Sequence, residues 1–293
     1  MTSGKLTPDG STDHVAIDQW SSHRAKLKRA HQHFKQLERY VRAIERHHSY
    51  GLSEAQDRSR PSGQNQWEYR LELAALDRKE SALLRVLVGD VLFNVRSALD
   101  HLAVALAPND RKQIATFPIT PVDDTEPVAC PTCGRTPKNS WLTATHGMPS
   151  GAIEIMRRLQ PGHGSPPSGQ TRSDHLLNVL VRLQDTDKHQ HLLSLATGLT
   201  DVALTAVALP GSGPTEVTAH GYDEPNDTRV MYRHGELLCD APRRIAASVT
   251  GQLVVVVNTK EGDGYRFPEM ASSLIRFARQ AIQDLEPYLT NAP

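Results

Sequence analysis

The stretch that decides the fold is Glu80 to Ala107, ESALLRVLVGDVLFNVRSALDHLAVALA. Leu84, Val88, Val91, Val95, Leu99, Leu102 and Leu106 recur in it at steps of three and four, which is one face of a helix with 3.6 residues per turn. Asp77 and Ser81 are its candidate N-caps, since a short side-chain oxygen there can accept the first free amides. Pro108, which has no N–H to continue the ladder, ends it. At about 100° per residue, Asp90, Asn94, Ser97 and His101 fall on a second, narrow polar stripe, while Arg96 and Asp100 lie on the other flank four residues apart. The plainest reading makes Arg96–Asp100 a surface ion pair worth a few tenths of a kcal/mol. On the same reading the polar stripe is a set of core-edge groups bonded to neighbouring backbone.

At 293 residues the chain has room for one large domain or two smaller ones. Its 33 basic and 33 acidic residues cancel, so no global field draws it to nucleic acid or to an anionic membrane. No apolar run approaches the ~20 residues of a membrane span. The start, MTSGKLTPDGSTDH, is polar and lacks the apolar region of a secretory signal. Three cysteines make no disulfide framework. A cytoplasmic protein with no membrane association is expected.

Around the central stretch, residues 1–14 read as a disordered tail. A second long helix is expected from Asp18 to Tyr50, carrying Ala25, Leu27, Ala30, Phe34, Leu37, Tyr40, Val41 and Ile44 on its helical stripe. His23, His31, His33, His47 and His48 make it histidine-rich, and they read as part of a solvated basic face. Residues 51–65 read as a polar loop. QWEYRLELAAL then alternates, with Trp67, Tyr69, Leu71 and Leu73 facing one way and Glu68, Arg70 and Glu72 the other, as in a half-buried strand.

Residues 108–150 read as irregular, with Phe117-Pro118-Ile119 extended and docked by its apolar ends. This segment holds CPTCGR, and a C-x-x-C-G turn lets Cys130 and Cys133 converge on one tetrahedral ion. One such pair is half a site, and His146, His163 and Cys239 are the candidates for the rest. A structural zinc on Cys130, Cys133 and His146 is the cofactor this pattern suggests. Residues 151–159 give a short amphipathic helix. Ser173 to Ala196 gives another, with Leu176, Leu180 and Leu183 on its core stripe and Asp187 where the next apolar residue belongs. A carboxylate in that position needs a partner, and His101, Arg96 or a neighbouring helix N-terminus is the expected one. Lys188, His189 and His191 crowd the same turn.

After about Thr197 the chain turns β-rich, with LTDVALTAVALP, TEVTAHGY, TRVMYRHG, ELLCD and IAASVTGQLVVVVNT separated by turn residues. EMASSLIRFARQAIQDLEPYL closes it as a helix. These elements give an α+β protein: a bundle-like layer of long helices, an antiparallel β-meander and a C-terminal helix. Residues 15–293 are expected to form one interwoven domain, helical over about 15–196 and β-meander plus closing helix over about 197–290, with the early strand joining the later sheet.

Three chemistries compete for these residues. Arg96 and His101 fit R-x4-H, which resembles the short motif of HEPN-type ribonucleases. That resemblance implies a homodimer, single-stranded RNA as substrate, His101 as acid/base group and Arg96 steadying phosphate charge. It covers six residues of one helix, and Ser97 follows the arginine where that family often has Asn, Asp or His. The second is a metal-dependent or acid/base hydrolase-type site in the helical bundle, built from His101 and Asp187 with Asp90, Asp100, His189 or His191. The third is a non-enzymatic binding or structural protein in which Arg96, His101 and Asp187 tie helices together, and Asn94, Asp100, Lys188 and His189 are candidate binding residues. No Walker loop, G-x-G-x-x-G or G-x-S-x-G is present.

FNVRSALDHLAVAL, then FPI, then LVRLQDTDKHQHLL also resembles a group of uncharacterised, mostly actinobacterial proteins with an R-S-A-L-D-H-L-A … F-P-I … D-K-H-R pattern. Gln190 stands where the pattern has Arg. The resemblance implies that the two helices belong to one unit, and it implies no activity.

Overall fold

The computed structural model describes residues 19–61, 64–120, 141–163, 175–188, 194–209, 218–219, 235, 237–242, 244–258 and 264–289. It is an α+β fold. Helix α1 runs Gln19–His47. His23, Ala30, Leu37 and Ile44, seven residues apart, lie on its inner face and are no more than 2% exposed. Helix α2, Arg78–Leu106, is the central stretch. Its seven-residue apolar stripe is fully buried, every member at 0% exposure.

Asp77 caps α2: its Oδ1 accepts from the amides of Lys79 and Glu80, each at 2.7 Å. Glu80 closes the reciprocal half of the capping box by accepting the Asp77 amide at 2.9 Å. Burial of a continuous stripe, not intrinsic propensity, sustains a helix of 29 residues.

Strand β1, Tyr50–Gln56, is a correction to the expected polar loop over 51–65. Its sequence lacks apolar alternation because only its backbone is needed. Every residue pairs with β2, Trp67–Leu73, from Tyr50 opposite Leu73 to Gln56 opposite Trp67. Arg60 holds the connecting turn, donating to Asn65 O at 2.8 Å and to Glu68 Oε1 at 2.7 Å. On its other edge β2 pairs with β5, Leu237–Ala241, so the early strand does join the later part of the chain. Strand β4, Thr218–Ala219, completes an antiparallel sheet in the order β1-β2-β5-β4.

The remaining strands form a second antiparallel sheet, β3-β6-β7, from Ser194–Ala208, Ile245–Asn258 and Gly264–Phe267. The expected meander therefore divides between two sheets. Tyr69 secures β2 to the start of β6: its hydroxyl donates to Ile245 O at 3.1 Å and accepts from Ile245 N at 2.8 Å.

Helices α3, Trp141–Thr145, and α4, Ser150–Arg158, follow α2. Between them Gly147 adopts φ +78°, and a Cβ there would meet the Pro108 ring at 2.8 Å, so glycine answers both constraints. Helix α5, Leu176–Lys188, is shorter than the helix expected over Ser173–Ala196. Ser194, Leu195 and Ala196 belong instead to β3, opposite Asn258, Val257 and Val256. Strand pairing overrides the helical periodicity there. Helix α6, Glu269–Leu285, and a 3-10 turn, Glu286–Tyr288, end the described chain.

The chain divides into two compact units that it enters alternately. The first comprises residues 1–28, 96–165 and 278–293. The second comprises residues 29–95 and 166–277, and holds both sheets. The expected tail over 1–14 lies outside the described residues.

Candidate functional site

The second half of α2 carries the R-x4-H motif, and the first unit builds a polar clamp on it. Arg96 and Asp100 face each other across one turn, with Arg96 Nε donating to Asp100 Oδ2 at 3.1 Å and Nη2 lying 3.0 Å from Oδ1. The pair does not stop at the surface. Asp100 Oδ1 accepts the Phe117 amide at 3.0 Å, and Arg96 Nη2 donates to the Phe117 carbonyl at 3.0 Å. The two charged side chains thus take both backbone groups of one residue, and both are only part-exposed, 21% for Arg96 and 29% for Asp100. This corrects the plain surface-pair reading. Charge-assisted bonds to a buried backbone are worth more than an exposed i,i+4 pair.

The clamped segment explains the need for it. Phe117 is 1% exposed and Pro118 is buried, so the segment leaves water with its amides unpaired by any helix or strand. Pro118 has no N–H, which removes one demand. At the far end Gln160, buried after α4, accepts the Thr120 amide at 2.9 Å and donates to Met156 O at 3.0 Å. Residues 117–120 are therefore pinned from α2 on one side and from the end of α4 on the other. Arg96, Asp100 and Phe117 meet in this clamp.

His101 follows Asp100 but is part-exposed, and its ring makes no hydrogen bond to a described residue. Its electrostatic neighbour in the unit is His23, near the start of α1. His23 is 1% exposed, and neither ring nitrogen has a hydrogen-bond partner. Glu286 Oε1 stands 3.8 Å from Nε2, longer than a hydrogen bond, and that carboxylate already accepts from Arg24 Nε at 2.5 Å. Burial pushes the His23 ring below the usual imidazole range, opposed by Glu286 and reinforced by Arg24 and His101. The heptad His23, Ala30, Leu37, Ile44 carried this placement in the sequence. Reading the five histidines of α1 as a solvated basic face missed it.

Two more of those histidines are paired in the second unit. His33 Nδ1 lies 3.5 Å from Asp90 Oδ2. His48 Nε2 lies 2.9 Å from both carboxylate oxygens of Glu80, and an ionised carboxylate only accepts, so the ring donates. Asn94, expected as a binding residue, is 4% exposed in the second unit, and its Nδ2 donates to Asp90 O at 2.8 Å.

Asp187 and Lys188 close α5 in the second unit, and their side chains lie outside the described residues, as do His189 and His191. The expected His101–Asp187 network therefore lies outside them too. Cys130 and Cys133 fall there as well, while His146 and His163 are exposed residues of the first unit. Cys239, the remaining candidate ligand, is a free thiol at 0% exposure in β5, and burial with help from Asp240 pushes it up to about 11. It is a core residue beside Tyr69, Ala241 and Ile245. Among the described residues no three His, Cys, Asp or Glu side chains are placed to hold a metal ion. No helix among them is long and apolar enough to cross a membrane.

Protein-family models, curated proteins and solved structures were all compared with this chain, and none matches it.

Proposed function

We propose that the chain is a non-enzymatic binding or structural protein of the cytoplasm in which the Arg96–Asp100 pair serves architecture. The observation that carries this is the clamp on Phe117. A phosphate-steadying arginine needs its fork open to the substrate, and here the Nε–Nη2 edge of Arg96 is taken by Asp100 and a backbone carbonyl. Asp100 is likewise committed, to Arg96 and to the Phe117 amide. The free Cys239 thiol agrees with a reducing compartment.

The competing ribonuclease reading draws on His101, whose ring is part-exposed. Incubation of the purified protein with single-stranded RNA, without metal, separates the two. The structural reading predicts no cleavage above that of a His101→Ala variant. Cleavage that survives a chelator and disappears in His101→Ala overturns it.

A further inference from the structure

We propose that His23 is a proton sensor for the first unit: it is packed as an uncharged ring, and its protonation in mild acid opens the contact between the start of α1 and the 3-10 turn bearing Glu286. The geometry sets up the conflict. His23 occupies a core position of the α1 heptad at 1% exposure, with no hydrogen bond at Nδ1 or Nε2. A neutral imidazole in that place loses the bonds it makes to water, and an imidazolium loses far more.

The charged and titratable groups around it come from each element that faces it. Arg24 is its neighbour on α1, His101 faces it from α2, and Glu286 faces it from the 3-10 turn. Two of the three, Arg24 and His101, disfavour a charge on His23. Among the described residues the anion that faces it is Glu286, 3.8 Å away and already bound by Arg24 at 2.5 Å. A proton on His23 therefore meets a single long ion pair, to a carboxylate that Arg24 shares, and burial outweighs what that carboxylate offers. The contact must rearrange, by drawing Glu286 from Arg24 or by letting the ring reach water.

The direction follows from linkage. Burial holds the folded ring below its ordinary value of 6.5, so below that value the unfolded or opened state binds more protons than the closed one. The contact is at full strength above about pH 6.5 and weakens as pH falls below it.

The test is hydrogen exchange, corrected for intrinsic rates, on the intact protein at about pH 7.5 and about pH 5. In the wild type, protection of amides at residues 23–28 and 285–289 falls several-fold at the lower pH, and in His23→Gln it does not. His175 supplies an internal control in the second unit. Burial pushes the His175 ring below the usual imidazole range too, its Nδ1 accepts the Leu177 amide at 3.3 Å, and any acid effect near Leu177 persists in His23→Gln. Titration of the His23 ring proton by NMR in the wild type gives an independent reading should the variant fail to fold. Protection in the wild type that does not fall at the lower pH, an equal loss in His23→Gln, or a His23 ring that titrates at or above 6.5 overturns the proposal.

Discussion

The Arg96–Asp100 clamp and the His23–Glu286 contact stand in the same unit and use the same kinds of side chain, yet one is closed and the other is open. In the clamp, every charge meets its opposite at 3.0–3.1 Å, and each charged side chain also bonds one backbone group of Phe117. In the contact, the Glu286 carboxylate is 3.8 Å from the His23 ring and is shared with Arg24. Burying polar groups is tolerable when each one is bonded, and it stores a liability when one is not. The difference lies in what each cluster must hold. Residues 117–120 bring orphaned amides into the interior, so the clamp must be complete. The His23 position has only to be filled, and a neutral ring fills it.

Removing Asp100 should give the largest effect. Asp100→Ala leaves the Phe117 amide and the Arg96 charge without their partner, and about 2–3 kcal/mol of stability should go, less than a deeply buried pair because both side chains are part-exposed. Denaturant unfolding measures it. A loss of only a few tenths of a kcal/mol would return Arg96–Asp100 to the standing of a surface pair.

Glu80→Gln is the smaller counterpart from the second unit, where a histidine does find its carboxylate. The hydrogen bond from His48, then the one from the Asp77 amide, hold the Glu80 carboxyl below its usual range. A depressed carboxylate contributes stability that is present above its ordinary value of 4.5 and is lost as pH falls through the lower folded value. The substitution should therefore lower stability by about 1 kcal/mol near neutral pH, and the gap between variant and wild type should shrink in acid below 4.5. A gap that is independent of pH would mean the capping geometry, not the charge, carries the effect. Set against His23, whose contribution weakens already below 6.5, the two histidines should separate on the pH axis.

Much of this architecture was legible in the sequence, and the particular residues show why the rest was not. The α2 stripe, the alternation at Trp67–Leu73, the closing helix and the docking of Phe117-Pro118-Ile119 all follow from apolar spacing, which burial enforces. Strand β1 escaped because edge pairing needs backbone alone, and GLSEAQ offers no apolar alternation. The start of β3 escaped because the helical spacing of Leu176, Leu180 and Leu183 carries on through Asp187 to Ser194, and only the partner strand at Val255–Asn258 decides against it. In the site, the four-residue spacing of Arg96 and Asp100 predicted their pairing but not its target, since the Phe117 backbone is named by no side chain. Glu286 carried no local signal. His23 did, through its heptad with Ala30, Leu37 and Ile44, and histidine abundance along α1 obscured it.

The clamp itself can be observed one amide at a time. Native-state hydrogen exchange at Phe117, compared between wild type and Asp100→Ala, reports directly on whether Asp100 Oδ1 holds that N–H. The clamp predicts a protected Phe117 amide in the wild type that loses its protection in the variant, while α2 amides such as Leu102 and Ala103 keep theirs. A Phe117 amide that already exchanges freely in the wild type, or stays protected without Asp100, would contradict it.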